Sequence, residues 1–472
     1  MADKQFDLVV LGSGPGGYVA AIRAAQLGLR TAIVERENLG GVCLNWGCIP
    51  TKALLRSAEM LHQMQHASSY GLHIEGTIAA DLGAVVKRSR GVARQLNQGV
   101  AHLMKKNGID IFMGAGLLKS AGVVEVTGPD GTATITSEHI IIATGARARD
   151  LPFAPADGQR IWTYRHAMVP PEIPSRLLVI GSGAIGIEFA SFYRDLGADV
   201  TIVEMLDRIV PVEDEEVSAF LERALTLQGM TVLTGASVET LEANETAVAA
   251  TIRTRDGKIS THTFSHTIVA IGIMPNTEAL ELDTLGIEAI RGHINTDGLC
   301  RTSINGVWAI GDVTAPPWLA HKASHEGVIA AEAIAQALGN TDVHPHPIDP
   351  KAIPGCTYCH PQIASMGFTE AGAKEAGRSV KVGKFPFMGN GKAIALGEPE
   401  GFIKTVFDAE TGELLGVHMI GAEVTELIHG FTIGKQAELL AEDYIRTVFP
   451  HPTLSEMMHE SVLAAYGRAV HF

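Results

Sequence analysis

Short apolar runs that end in glycine alternate through much of the chain with longer stretches in which alanine and other apolar residues recur at three- and four-residue spacing. Residues 8–11, "LVVL", are one such run. Residues 15–27 carry helical periodicity, and residues 31–34, "TAIV", form the next run. The same succession returns over residues 177–203. A continuously apolar strand is covered on both faces, so the pattern predicts parallel strands joined by helices. Beyond residue 400, the short strands "GFIKTVF" and "LLGVHMI" stand among two amphipathic helices and predict an α+β module.

The joins between strand and helix carry the first chemistry. Gly12, Gly14 and Gly17 follow the first strand, and Glu35 closes the second strand 23 positions after Gly12. Gly181, Gly183, Gly186 and Glu204 repeat that spacing, again 23 positions from first glycine to acid. The first glycine makes the turn, the second admits a pyrophosphate and the third lets helix meet strand. The phosphates then sit on the free N–H groups of the helix, and the acid hydrogen-bonds a ribose 2′-hydroxyl. Two such sites predict two Rossmann-like dinucleotide-binding domains in an α/β chain. A carboxylate at Glu204 repels a 2′-phosphate, which favours NAD over NADP. Arg208 is the nearest residue of opposite sign.

Bulk properties narrow the partners. A chain of 472 residues suits two to four domains, and a net charge of -15 argues against nucleic acid and anionic membrane surfaces. No apolar run reaches the roughly 18 residues that span a bilayer. The N-terminus enters a strand without a secretory pattern. Five cysteines do not make a disulfide framework. A reducing, cytoplasmic setting is expected, with the mitochondrial matrix as the alternative for a processed organellar chain.

Cys43 and Cys48 lie five positions apart in "GGVCLNWGCIP". In a regular helix their Cα atoms would be about 8.6 Å apart, whereas a disulfide needs roughly 4.4–6.8 Å. A bridge therefore requires a departure from ideal helix, which Gly47 makes feasible. So short a loop constrains the unfolded chain little. The pair reads as a reversible redox couple, with a helix N-terminus lowering a thiol's pKa. No metal site is expected. Cys356 and Cys359 read as buried or interface thiols, and Cys300 as a lone buried cysteine.

His451 and Glu456 in "HPTLSE" offer a base for thiol exchange and a carboxylate to orient it. Thr453 and Glu456 also fit a helix capping box, so the acid has a purely structural alternative.

"GGVCLNWGCIPTKALL", the two fingerprints, "ATGAR" at 143–147, "AIGIMPNTE" at 270–278, "WAIGDV" at 308–313 and "HPTLSE" at 451–456 occur in the order found in flavin disulfide reductases. Over essentially its whole length the chain resembles that family, most closely its dihydrolipoamide-oxidising branch. The resemblance implies an FAD-binding domain at 1–150, an NAD-binding domain at 151–275, a return to the FAD domain at 276–346 and a dimerisation domain at 347–472. It implies that Cys43 meets the dithiol substrate and Cys48 faces the flavin. His451 would be lent to the site of the other subunit in a homodimer, supported by Glu456. Pro450 departs from the small residue the family pattern has before this histidine. Lys52 and Glu188 would form an ion pair on the hydride path. Thr144, Gly145, Asp312, Leu319, Ala320, His321 and Gly116 would contact FAD, and Val238 and Gly272 would line the NAD site. The implied partners are lipoyl-bearing E2 or glycine-cleavage carrier proteins. The alternatives are an NADPH-dependent disulfide or metal-ion reductase on the same scaffold, which Glu204 and the absence of a C-terminal cysteine pair oppose, and a non-catalytic nucleotide-binding scaffold.

Overall fold

Leu8, Val9 and Val10 are fully buried because the strand Lys4–Leu11 lies inside a sheet covered on both sides. Alternate residues feed different cores. Leu8 and Val10 pack with Ile33 and Ile141, whereas Val9 and Leu11 pack with Val34, Ile140 and Ile142. This double burial is why the run shows no polar alternation.

The computed structural model describes residues 4–129 and 131–472, which fall into two compact units. The first comprises residues up to Leu54, Gly83–Arg149 and Ile273–Ile348. Its main sheet runs Asp110–Met113, Thr31–Glu35, Lys4–Leu11, Gly131–Ile142, Val123–Gly128, Ala115–Ser120, with Val307–Ala309 also paired to Gly131–Ile142. Pairing is parallel among the first four strands and with Val307–Ala309. It turns antiparallel through the two remaining strands. The helix Pro15–Gln26 starts on a proline, which suits a first turn, and buries Ala20, Ala21 and Ala24.

The second unit comprises Leu55–Leu82, Asp150–Gly272 and Asp349–Phe472. It repeats the parallel arrangement in the order Thr231–Leu233, Asp199–Val203, Arg176–Ile180, His266–Val269, Ile161–Trp162. Its C-terminal part is a five-stranded antiparallel sheet, ordered Gly355–Thr357, Gln362–Gly367, Leu414–Gly421, Phe402–Asp408, Val380–Pro386. Every residue of the two central strands is buried. Phe385, Phe407, Phe431, Met457 and Val462 form the core between this sheet and the helices Val424–Gln436 and Glu456–Ala465. Three short helices, Glu370–Glu375, Gly391–Leu396 and Ala441–Arg446, add to the two expected; each is too short to show a period in sequence.

Candidate active site and nucleotide sites

The three glycines of each fingerprint play different parts, and the geometry separates them. Gly12 has φ +101°, and a Cβ there would lie 2.3 Å from the Ala143 carbonyl oxygen. A Cβ on Gly17 would lie 1.9 Å from the Gly12 carbonyl oxygen, so helix and strand meet only without one. Around Gly14, by contrast, there is nothing within 4 Å. Gly181, Gly186 and Gly183 repeat the pattern, with contacts of 2.5 Å and 2.1 Å at the first two and open space at the third. Neither helix has a side-chain cap at its N-terminus. Open space at the second glycine and uncapped N–H groups fit a pyrophosphate at both places.

The acids are held alike. Glu35 accepts hydrogen bonds from the Ser13 amide (3.0 Å), the Ser13 hydroxyl (2.6 Å) and the Glu37 amide (2.8 Å). Glu204 accepts from the Ser182 amide (2.9 Å), the Ser182 hydroxyl (2.6 Å) and the Leu206 amide (2.9 Å). The Arg208 guanidinium donates to the Pro211 carbonyl at 3.2 Å.

The cysteines sit inside helix rather than ahead of it. Cys43 belongs to Gly41–Trp46, and Cys48 opens Cys48–Gln65, with Lys52 one turn later. Gly47 breaks the helix at φ -141°, ψ -123°. The break brings the two side chains into hydrogen-bond contact. A Cβ on Gly47 would lie 3.0 Å from the Val42 carbonyl oxygen and 3.2 Å from Cys43 Cα. Hydrogen bonding to Cys48, then burial, push the Cys43 thiol well above its usual range, while the Lys52 ammonium pulls the other way. At Cys43, inside the first helix rather than at the start of the second, the hydrogen bond with Cys48 and burial dominate.

A brace that sequence reasoning missed fixes this segment. Three consecutive residues of the helix Leu82–Lys106 donate to its carbonyls: Arg88 to Ala53 (2.7 Å), Ser89 to Pro50 (2.9 Å) and Arg90 to Asn45 (2.5 Å). Asn45 Nδ2 in turn donates to Leu39 and Gly41. "RSR" resembles any solvated helix face, so no local signal exposes it.

His451 Nδ1 lies 2.9 Å from Glu456 Oε1, with the histidine side chain 79% exposed. Glu456 also reaches back to the Thr453 amide at 3.0 Å. The orienting and capping roles thus coexist in one carboxylate. Burial pushes its carboxyl up, but the Thr453 amide and the His451 ring outweigh that, leaving it below the usual range.

The remaining candidates divide between the units. In the first, Thr144 Oγ1 donates to the Asn276 carbonyl, and Asn276 Nδ2 donates back to the Thr144 carbonyl, both at 2.9 Å. Gly145 follows at φ +66°. Asp312 sits in the short turn Gly311–Val313, where burial pushes its carboxyl up to about 6 against the pull of Lys322. Leu319 caps the helix that starts at Ala320 and contains His321. Gly116 packs against Leu11 and Val34. In the second unit, the buried Glu188 accepts the Tyr358 amide at 3.0 Å. Val238 lies in the strand Ser237–Ala243, and Gly272 has open space around it at φ +108°.

Cys300 is 4% exposed, and Cys359 donates to the Pro361 carbonyl at 3.0 Å from a buried position. Cys356 is only partly buried. Among the described residues there is no group of three or more His, Cys, Asp or Glu placed to hold a metal ion, and no helix is long and apolar enough to cross a membrane.

Comparison with known proteins agrees with this geometry. Residues 6–327 match the family described as pyridine nucleotide-disulphide oxidoreductase, and residues 353–462 match its dimerisation domain. The chain is 56% identical to a dihydrolipoyl dehydrogenase of Zymomonas mobilis over 473 residues, with 100% of both chains covered. It is 42% identical to one of Bacillus subtilis, with 99% of each covered. The solved structure of LpdA from Mycobacterium tuberculosis superposes with a TM-score of 0.88 at 27% identity, over 97% of this chain and 99% of that one. The flavoprotein disulfide reductase RclA from Escherichia coli gives 0.85 at 25% identity, with the same coverage. The chain belongs to the pyridine nucleotide-disulphide oxidoreductase family.

Proposed function

We propose that the protein is a dihydrolipoyl dehydrogenase, which oxidises protein-bound dihydrolipoyl groups at Cys43 and Cys48 and reduces NAD⁺. The observation that carries this is the contact between the two cysteine side chains across the Gly47 break, in a chain with two dinucleotide sites. Gly12, Gly14, Gly17, Glu35, Thr144, Gly145 and Asp312 would hold FAD in the first unit. Gly181, Gly183, Gly186, Glu204, Val238 and Gly272 would hold NAD in the second. FAD, when bound, supplies the two-electron relay between the cysteine pair and NAD⁺.

With the pair oxidised, a lipoyl thiolate attacks Cys43 Sγ. The Cys43–Cys48 bond breaks, and Cys48 leaves with the electron pair. The second lipoyl sulfur then displaces Cys43 and closes the lipoyl disulfide, so two electrons remain on the cysteines. His451 takes the protons released by the dithiol, and Glu456 holds its ring and stabilises the imidazolium. In the reduced pair the Cys43 and Cys48 side chains stay in hydrogen-bond contact, which with burial pushes the Cys43 thiol well above its usual range. Lys52 and Glu188 are assigned to the hydride path. The dimerisation-domain match supports a homodimer. The dithiol would arrive on a separate lipoyl-bearing carrier.

NAD⁺ is preferred because a buried carboxylate at Glu204 opposes a 2′-phosphate and Arg208 is engaged with Pro211. The test is turnover of dihydrolipoamide by flavin-loaded protein with NAD⁺ or NADP⁺ at equal concentration. We expect strong NAD⁺ preference and complete loss of lipoamide turnover in Cys48→Ser. Full turnover in that variant, or preference for NADP⁺, overturns the proposal.

A further inference from the structure

We propose that Ser13 and Ser182, the residues between the first two glycines of each fingerprint, are positioning residues that lock the carboxylates of Glu35 and Glu204 for ribose binding. The inference rests on the reading that these acids take the riboses of FAD and NAD.

Two separate stretches of chain, one in each unit, build the same arrangement. In each, Oε2 of the acid receives both the amide and the hydroxyl of the serine. Oε1 receives a single amide, from the residue two positions beyond the acid. Corresponding distances differ by no more than 0.1 Å, for example 3.0 Å against 2.9 Å for the serine amides. The loops after the acids share no sequence: "RENLGG" follows the first and "MLDRIV" the second. Both serines are fully buried.

The serine hydroxyl is not there to satisfy the backbone. The Gly40 amide reaches Ser13 Oγ at 3.2 Å but also the Ser13 carbonyl at 3.0 Å. The Val210 amide reaches Ser182 Oγ at 3.3 Å and the Ser182 carbonyl at 3.2 Å. Each amide therefore keeps an acceptor if the hydroxyl is removed. What only the hydroxyl supplies is a second donor to Oε2, at 2.6 Å in both sites. A doubly bonded Oε2 cannot rotate away, so Oε1 is the oxygen with spare capacity. A ribose hydroxyl can donate to it, whereas a 2′-phosphate meets a fixed negative charge.

Calorimetry of flavin-loaded protein with NAD⁺ and with NADP⁺ tests this. In Ser182→Ala the NAD⁺ dissociation constant should rise about five- to twentyfold, the loss of one charge-assisted hydrogen bond. NADP⁺ binding should not weaken, so discrimination narrows. Because the serine acts through Glu204, the double variant with Glu204→Gln should bind NAD⁺ no more weakly than Glu204→Gln alone. Ser13→Ala should leave NAD⁺ binding unchanged and instead release flavin more readily on gel filtration. If Glu204→Gln weakens NAD⁺ but Ser182→Ala does not, or if the two effects add in full, the positioning role is overturned. If Glu204→Gln itself leaves NAD⁺ binding untouched, the ribose reading falls and takes this inference with it.

Discussion

Glu456 holds the His451 ring with one carboxylate oxygen at 2.9 Å and the Thr453 amide with the other at 3.0 Å. One side chain thereby ties a proton acceptor to the start of the helix Glu456–Ala465. In Glu456→Gln the amide oxygen can still take the Thr453 N–H, so the helix start survives. What is lost is the negative charge beside an imidazolium. Turnover of dihydrolipoamide should fall about ten- to a hundredfold, and His451→Ala should cost about 10²- to 10⁴-fold. Steady-state rates, with thermal unfolding to confirm the fold, check this. Equal rates in parent and Glu456→Gln would remove the orienting role.

Gly47 sits where a methyl group would press on the Val42 carbonyl and Cys43 Cα, at 3.0 and 3.2 Å. Both neighbours are backbone, so relief must come from moving Cys43 relative to Cys48. Gly47→Ala should lower lipoamide turnover about tenfold or more through misplacement of the reacting sulfurs. NADH-dependent reduction of an artificial dye, which bypasses the cysteines, should be preserved. Loss of both activities together would point to a folding defect instead.

Lys404 is a buried cation, 4% exposed, bonded to both oxygens of Asp214 at 3.1 Å and within 2.9 Å of Glu370. Asp214 also caps the helix Glu215–Leu227 through the Glu216 amide. Removing the cation leaves a buried carboxylate without its counter-charge. Lys404→Met should destabilise the second unit by about 3–5 kcal/mol. Chemical denaturation of the flavin-loaded protein reads this as an earlier midpoint. An unchanged midpoint would mean that Asp214 finds other support.

Burial pushes the Glu213 carboxyl up to about 7, only partly offset by a hydrogen bond with Ser365. Its Oε2 has no hydrogen-bond partner among the described residues. A carboxyl whose native pKa is raised binds more protons folded than unfolded between the two values. Stability from this group is therefore greatest in acid, declines as pH rises from its ordinary value toward 7, and is flat above that. Glu213→Gln abolishes the decline. Its gain over the parent should be near zero at acid pH and grow to the order of 3 kcal/mol at pH 8. Melting temperatures of both proteins from pH 5 to 8 test this; parallel curves would contradict it.

Much of the site was legible because its parts are local. The first and third glycines of each fingerprint answer a steric demand from residues a few positions away or from the adjoining strand, and Gly12 and Gly17 meet each other directly. The break between Cys43 and Cys48 follows from one glycine. The serine locks, the brace from Arg88, Ser89 and Arg90, and the pairing of Thr144 with Asn276 were not legible. Ser13 reaches across 22 positions and Thr144 across 132 to a partner of common type. The fingerprints mark where Ser13 and Ser182 stand but not which distant acid they hold, and nothing beside the others distinguishes them from ordinary loop or surface positions.

The chain's own pattern of apolar runs and glycines determined where strands end, where helices begin and which turns can receive phosphate, since backbone sterics act within a few residues. Only the tertiary structure decided which oxygen of Glu35 or Glu204 takes two donors and which takes one, and that burial and Cys48 raise the Cys43 thiol. It also decided which buried charges meet a partner. Those outcomes depend on donors and acceptors from distant segments arriving together as the cores pack, and no neighbouring residue records that meeting.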